Sequence, residues 1–196
     1  MSQPFRVLNR FQKPGSNNAL DKTAAMRGFL TPAECDAVIA LARNTPMEKG
    51  GTTPTGEDMR GRDSLVCFIQ PDEKTEWIFA RLEQALLKVN EFFRFELHGF
   101  YEGFQLARYE PGGHYDWHMD IGEEYLSARK LSMSVQLSDP ADYEGGEIKF
   151  FARAEPAPVE RGSLIVFPSY LPHTVRAVTR GCRYSLVSWI SGPPFR

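Results

Sequence analysis

Cysteine is scarce: three occur in 196 residues, Cys35, Cys67 and Cys182. They are far apart and odd in number, which excludes a disulfide framework and a Cys-x-x-Cys metal site and predicts buried free thiols. Long apolar runs are missing too. None approaches the roughly 18 residues of a membrane span, and the polar stretch from Met1 to Asp21 lacks the apolar segment of a secretory signal, so no membrane partner and a cytoplasmic location are expected. An excess of one charge is also lacking. The 23 basic and 25 acidic residues give a net charge of −2, which offers neither a basic surface for nucleic acid nor a polybasic membrane patch. Internal repeats and low-complexity tracts are absent. What remains is a globular composition, 42% hydrophobic and 24% charged, of a length that folding closes into one domain burying on the order of 70% of its unfolded surface.

Residues 1 to 24 mix Asn, Gln, Ser and Pro with scattered apolar residues, as in an arm lying over a domain. Thr31-Pro-Ala-Glu34 has capping-box spacing with Pro at the first helical position. Cys35, Val38, Ile39 and Ala42 then mark one amphipathic helix ending near Asn44. Pro46 to Asp63 shows no periodicity and reads as a mobile loop long enough to be functional, its Glu57 to Asp63 charge cluster as solvated or, alternatively, as closing over substrate. Leu65–Gln70 reads as a strand. After an Asp72 cap, the set Ile78, Leu82, Ala85, Leu86, Val89 and Phe93 marks a longer helix. Beyond Phe95, short β-rich runs alternate with turn residues: 104–109, 130–137, 147–151, 163–167, 173–178 and 183–190. That spacing is a barrel or sandwich signature. The expected organisation is a single domain over 1–196, with an arm, helices and loop over 1–95 and a β core over 96–196.

Within the β core lies His118-x-Asp120. Residues two apart on a strand share a face, so an imidazole and a carboxylate can converge on one metal while Trp117 and Met119 point away. His173, opening a late strand, is a third candidate ligand. Two histidines and one carboxylate leave coordination positions open for chemistry, whereas a closed structural zinc site would need a fourth ligand, for which His114 or Asp116 are the nearest candidates. Arg183 follows ten residues after His173. If Thr179-Arg-Gly181 closes a hairpin, Ala177 faces Arg183, Val175 faces Ser185 and His173 faces Val187. His173, Ala177, Arg183 and Ser185 would then share an interior face, with roughly 13 Å between the His and Arg rows. That gap suits a short dicarboxylic acid, one end on the metal and the other on the Arg183 fork beside the Ser185 hydroxyl. His114 and Asp116 read as loop residues near the mouth, His98 as a packing residue, and Tyr115, Trp117 and Trp189 as core aromatics able to line a pocket.

From Phe104 to Trp189 the chain resembles the Fe(II)- and 2-oxoglutarate-dependent oxygenases, within them the prolyl 4-hydroxylase-like group that includes bacterial proline/lysine-hydroxylase-type proteins. The matching series is Tyr109-x-x-Gly112-x-x-Tyr115-x-x-His118-x-Asp120, Leu131-Ser132, Leu137-Ser138-Asp139-Pro140, Tyr143-x-Gly145-Gly146-Glu147, Gly162-Ser163, Phe167-Pro168, His173-x-Val175 and Gly181-x-Arg183. The resemblance implies a mainly β fold, a double-stranded β-helix (jelly-roll, cupin-like) core buttressed by N-terminal helices. It also implies iron held by His118, Asp120 and His173, with the 2-oxoglutarate C5 carboxylate on Arg183, and Tyr109 as a second contact. Collagen-type relatives commonly carry Lys at the Arg183 position, which sets this chain apart from that branch. Nucleic-acid demethylases of the superfamily carry a second arginine where this chain has Trp189, and halogenating relatives a small residue where it has Asp120.

The expected function is an Fe(II)- and 2-oxoglutarate-dependent dioxygenase using O2, with ascorbate a candidate reductant. Its expected reaction is hydroxylation of an unactivated C–H bond, of a prolyl or other residue in a protein or peptide, with release of succinate and CO2. The alternatives are a hydroxylase of a free amino acid or small metabolite and, in another class, a non-catalytic β-barrel protein that binds a metal or small acid.

Overall fold

A computed structural model of the protein describes residues 17–43, 45–51, 61–151 and 155–195. Its first helix, α1 (Pro32–Arg43), begins at the capping box. Thr31 Oγ1 accepts the Glu34 N–H at 3.2 Å while Glu34 Oε2 accepts the Thr31 N–H at 2.8 Å, so two of the orphan donors of the first turn are satisfied. Its buried face is Cys35 and Val38. The longer α2 (Glu76–Phe93) buries the six apolar residues that the periodicity selects. Asp72, however, does not cap it directly. Its carboxylate accepts the Lys74 and Thr75 N–H groups in a turn that precedes the helix, and the first helical residue comes at Glu76. Arg94, in the left-handed region at φ 56°, ends the helix with its N–H on Asn90 O.

Thirteen strands among the described residues form three antiparallel sheets. They are β1 (Ala24–Met26), β2 (Glu48–Lys49), β3 (Arg62–Asp63), β4 (Leu65–Ile69), β5 (Phe104–Tyr109), β6 (His114–His118), β7 (Arg129–Gln136), β8 (Tyr143–Gly145), β9 (Ile148–Phe150), β10 (Leu164–Pro168), β11 (His173–Val175), β12 (Val178–Gly181) and β13 (Arg183–Ser191). The seven-stranded sheet runs β1-β10-β7-β13-β5-β4-β2 and the four-stranded one β3-β6-β11-β9, with β12-β8 a separate ribbon. The N-terminal half therefore supplies strands as well as helices. Two of them, β2 and β3, form from the ends of the expected 46–63 loop, and residues 52–60 of that loop and 1–16 of the expected arm lie outside the described residues.

Strand alternation sorts the large sheet into two faces. Leu131, Met133 and Val135 of β7, Leu106 of β5 and Leu186 and Ile190 of β13 pack with both helices in the larger core cluster. Phe79 of α2 stacks on Phe104 at 3.7 Å. Each fully buried Leu, Ile or Phe there contributes about 1.5–3 kcal/mol. A second cluster, including Ala107, Tyr109, Ile148, Phe150, Ile165, Phe167, Val175 and Val178, fills the space between the sheets.

The expected hairpin between the last strands is not formed. β11 pairs with β6 and β9, β12 with β8, and β13 with β5 and β7. His173 thus sits opposite His118 and Phe150 in one sheet, Arg183 opposite Tyr109 in the other, and Ala177 is exposed rather than interior. In a two-sheet sandwich successive strands cross between layers, and side chains brought together by facing sheets replace those that a hairpin would have aligned.

Candidate metal centre and its cavity

His118 ends β6, His173 opens β11, and Asp120 lies just past β6. Because His118 and His173 are direct partners across the ladder, their imidazoles meet, with ring centroids 4.1 Å apart. Asp120 closes the triangle. Its Oδ1 is 3.6 Å from His118 Nε2 and its Oδ2 is 3.7 Å from His173 Nε2, and one ligand atom from each of the three residues lies within 4.8 Å of the others.

The surroundings orient all three groups. His118 Nδ1 lies 2.7 Å from the Asp116 carbonyl and His173 Nδ1 3.0 Å from the Leu171 carbonyl. A carbonyl only accepts, so both Nδ1 atoms carry a proton and both Nε2 atoms are turned toward the triangle. Ser132 donates to Asp120 Oδ2 at 2.6 Å, and the Asp120 N–H donates to the Ser169 carbonyl at 2.8 Å. Burial, and next the neighbouring His173, lower the His118 pKa to about 4. For Asp120 burial pushes the pKa upward, but His173, His118, Arg129 and the Ser132 hydroxyl outweigh it and hold the carboxyl below its ordinary value. Two imidazoles that turn Nε2 inward beside an ionised carboxylate form a donor set that fits a divalent transition metal and leaves coordination positions open.

The triangle opens into a cavity of about 640 Å³ between the two sheets, walled also by Tyr109, Tyr115, Arg183, Ser185 and Trp189. The large sheet turns polar side chains toward it, with Ser134 on its wall, as the β7 and β13 alternation dictates. With Leu131, Met133 and Val135 turned to the helices, Ser132, Ser134 and Gln136 face inward opposite Trp189, Val187 and Ser185. Arg183 is 3% exposed. Its Nε donates to Gln136 Oε1 at 3.1 Å and its Nη1 to Ser185 Oγ at 3.4 Å, and the guanidinium lies 5.5 Å from the Tyr109 ring centre. Among the described residues no carboxylate pairs with it. Gly146 makes room for this arginine, because a Cβ there would fall 2.7 Å from Arg183 Cδ and Gly146 has φ +70°. A buried, uncompensated guanidinium is costly unless an anion joins it.

The candidate residues His118, Asp120, His173, Arg183, Tyr109 and Ser185 therefore all border one cavity. His114 and Asp116 belong to β6 rather than a loop, and neither lines the cavity. Tyr115 and Trp189 line it, whereas Trp117 is 54% exposed and pairs edge-on with exposed Phe151. Met119, expected to point away, lies at the cavity rim. His98 is exposed beside Glu96 instead of packed. Cys35 and Cys67 are buried thiols and Cys182 is partly buried. Sequence reasoning passed over Glu102 and Arg129 and read Arg62 only as part of a solvated or substrate-covering charge cluster; all three also line the cavity. Arg129 donates to the Asp120 carbonyl at 3.0 Å, pairs with Glu102 through two nitrogens and lies 3.8 Å from the Trp189 ring centre. Most of their partners lie far along the chain, as Gln105 does from Arg62 and Glu102 from Arg129, so no local spacing marks them.

The fold is that of known oxygenases. A Pseudomonas putida prolyl-4-hydroxylase matches with a TM-score of 0.69 at 23% identity, over 87% of this chain and 92% of that one. A Trichoplax adhaerens prolyl hydroxylase, solved with a hypoxia inducible factor oxygen degradation domain peptide fragment, matches with a TM-score of 0.74 at 17% identity, over 88% and 84%. These are double-stranded β-helix proteins, and the architecture described above is the same. The profile of the 2OG-Fe(II) oxygenase superfamily matches residues 104–191, the segment that holds the whole triangle and Arg183. Among curated relatives, PKHD-type hydroxylases of Synechococcus and of Sphingopyxis alaskensis are 37% identical over 91 residues and 39% over 94. Those matches cover 43% of this chain in each case, and 41% and 42% of the relatives' own lengths.

Proposed function

We propose that this protein is an Fe(II)- and 2-oxoglutarate-dependent dioxygenase that hydroxylates a prolyl or other amino-acid residue of a protein or peptide, acting as a single oxygenase domain. One observation carries it: the His118–Asp120–His173 triangle on the small sheet shares a cavity with Arg183 of the large sheet, a buried cation without a carboxylate partner among the described residues. A dicarboxylic acid fits between such poles. The prolyl preference draws on the names of the relatives, PKHD-type hydroxylases and prolyl hydroxylases, one of them solved with a peptide.

In this reading His118 and His173 present Nε2 and Asp120 its carboxylate to the iron, while Arg183 pairs with the distal carboxylate of 2-oxoglutarate. Ser185 and Tyr109 flank that carboxylate. Bound iron, 2-oxoglutarate and O2 together supply the oxidising power for C–H hydroxylation, with succinate and CO2 released. The chain's own residues do the rest. The Asp116 and Leu171 carbonyls fix the imidazole tautomers, Ser132 fixes the carboxylate, and the apolar layer of Ile148, Phe167 and Val175 keeps water from the reacting end.

Incubation with Fe(II), 2-oxoglutarate and ascorbate tests the activity, since such sites turn over 2-oxoglutarate slowly even without substrate. Succinate should form and depend on Fe(II). Comparison of cell proteins with and without this chain by mass spectrometry should then show a loss of about +16 Da, one oxygen atom, on a target residue. Absence of succinate under all metal conditions would favour a non-catalytic binder.

A further inference from the structure

We propose that Arg62 is a positioning residue for His118, acting through the ring of Tyr115, an inference that rests on the metal-binding reading above. The Tyr115 ring lies on the His118 imidazole with centroids 3.5 Å apart and planes 11° from parallel. That contact covers one face of the phenol. Arg62 stands directly across the β3–β6 ladder from Tyr115, and its guanidinium carbon is 4.6 Å from the same ring centre, so the ring is held between a cation and an imidazole. The guanidinium is fixed in turn by three acceptors from different parts of the chain: Nε to Ser64 Oγ at 2.9 Å, Nη1 to Gly51 O at 3.1 Å, and Nη2 to Gln105 Oε1 at 2.8 Å.

The backbone is shaped around this clamp. A Cβ at Gly50 would lie 2.6 Å from Arg62 Nε and 2.7 Å from Ser64 Oγ, so any larger residue there displaces the guanidinium. The clamp matters because a single hydrogen bond, Nδ1 to Asp116 O, leaves an imidazole free to tilt about that bond. The ring face needs its own support, and the Tyr115 plane supplies it, keeping Nε2 aimed at the triangle. Arginine is suited to the role, since a planar fork satisfies three acceptors while its face lies on an aromatic ring, which an ammonium group does not.

Titration with Co(II), followed by visible absorption in the absence of 2-oxoglutarate and O2 turnover, tests this without reference to activity. Arg62→Ala should raise the Co(II) dissociation constant about tenfold and alter the visible band, which reports ligand geometry. Gly50→Ala should do the same with the arginine still present, and the double variant should lose no more than either single one. Arg62→Lys should recover part of the affinity. Arg180→Ala, which breaks an exposed pair with Glu144, should change nothing. Arg62 lies on a two-residue strand, and circular dichroism should show each variant folded; should Arg62→Ala unfold, Gly50→Ala and Arg62→Lys carry the test. Wild-type affinity and an unchanged band in Arg62→Ala or, failing that variant, in Gly50→Ala, while His118→Ala loses Co(II), would overturn the clamp alone. Undiminished binding by His118→Ala would overturn the metal reading and the clamp with it.

Discussion

Ser132 donates a hydrogen bond from its hydroxyl to Asp120 Oδ2 at 2.6 Å, a contact between strand β7 of the large sheet and a residue that follows β6 of the small one. It ties the two sheets together at the candidate metal centre and fixes which way the carboxylate turns. The same hydroxyl oxygen is 3.0 Å from Ser169 Oγ, and Ser132 is fully buried.

Ser132→Ala should therefore weaken metal binding, by about 10- to 100-fold, and lower stability by about 1–3 kcal/mol through the polar groups it leaves unpaired. Metal titration and chemical denaturation measure the two effects separately. Ser132→Thr, which keeps the hydroxyl, should recover binding better than it recovers stability, because the extra methyl group enters a packed wall.

Arg183→Ala should reduce 2-oxoglutarate affinity by about 30- to 1000-fold, the loss of a charge-assisted contact in a dry site, with metal affinity unchanged. Lysine should recover part of it. Gly146→Ala should mimic the loss, since its Cβ would press on Arg183 Cδ. Arg176→Ala and Arg180→Ala, at exposed positions, should leave 2-oxoglutarate affinity at the wild-type value, and titration calorimetry on the five variants checks the set.

The metal-free protein should lose stability as pH falls from about 6.5 toward about 4. His118 is neutral in the folded state with its pKa lowered to about 4, whereas the unfolded chain takes up the proton near 6.5. Protons thus bind the unfolded state first, and the stability present above the unfolded pKa is lost through that window. Denaturant midpoints measured across the range should fall, and the fall should shrink in His118→Phe.

Much of the fold was legible because the signals were local. The Thr31–Glu34 box started α1 where expected, the six-residue apolar set marked α2, and strands such as Phe104–Tyr109 were bounded by turn residues. His118 and Asp120 could be paired from strand alternation and the short return past β6. His173 and Arg183 border one cavity, but not by the geometry expected, since a hairpin was the shortest closure available to the sequence while the chain instead changes sheets between them. Arg62 was hidden because a charged stretch with Gly and Thr around it reads as solvent-facing. Nothing in its neighbours announces the Tyr115 ring, 53 positions away in the chain, that it covers. Ser132, Ser134 and Gln136 were obscure for a related reason: polar residues alternating with Leu131, Met133 and Val135 look like an outer face, whereas here that polar face turns inward, with Ser134 on the cavity wall, and the apolar one packs on helices.

The central claim is that the metal triangle and Arg183 hold the same small molecule. Anaerobic addition of 2-oxoglutarate to the Fe(II)-loaded protein tests it most directly, through the visible absorption band that arises only when the two bind together. Wild-type protein should develop the band and saturate, His173→Ala should not develop it at any concentration, and Arg183→Ala should develop it only at concentrations of 2-oxoglutarate at least about 30-fold higher. A band that never forms in the wild type, or one that saturates at the same concentration in Arg183→Ala, would contradict the account.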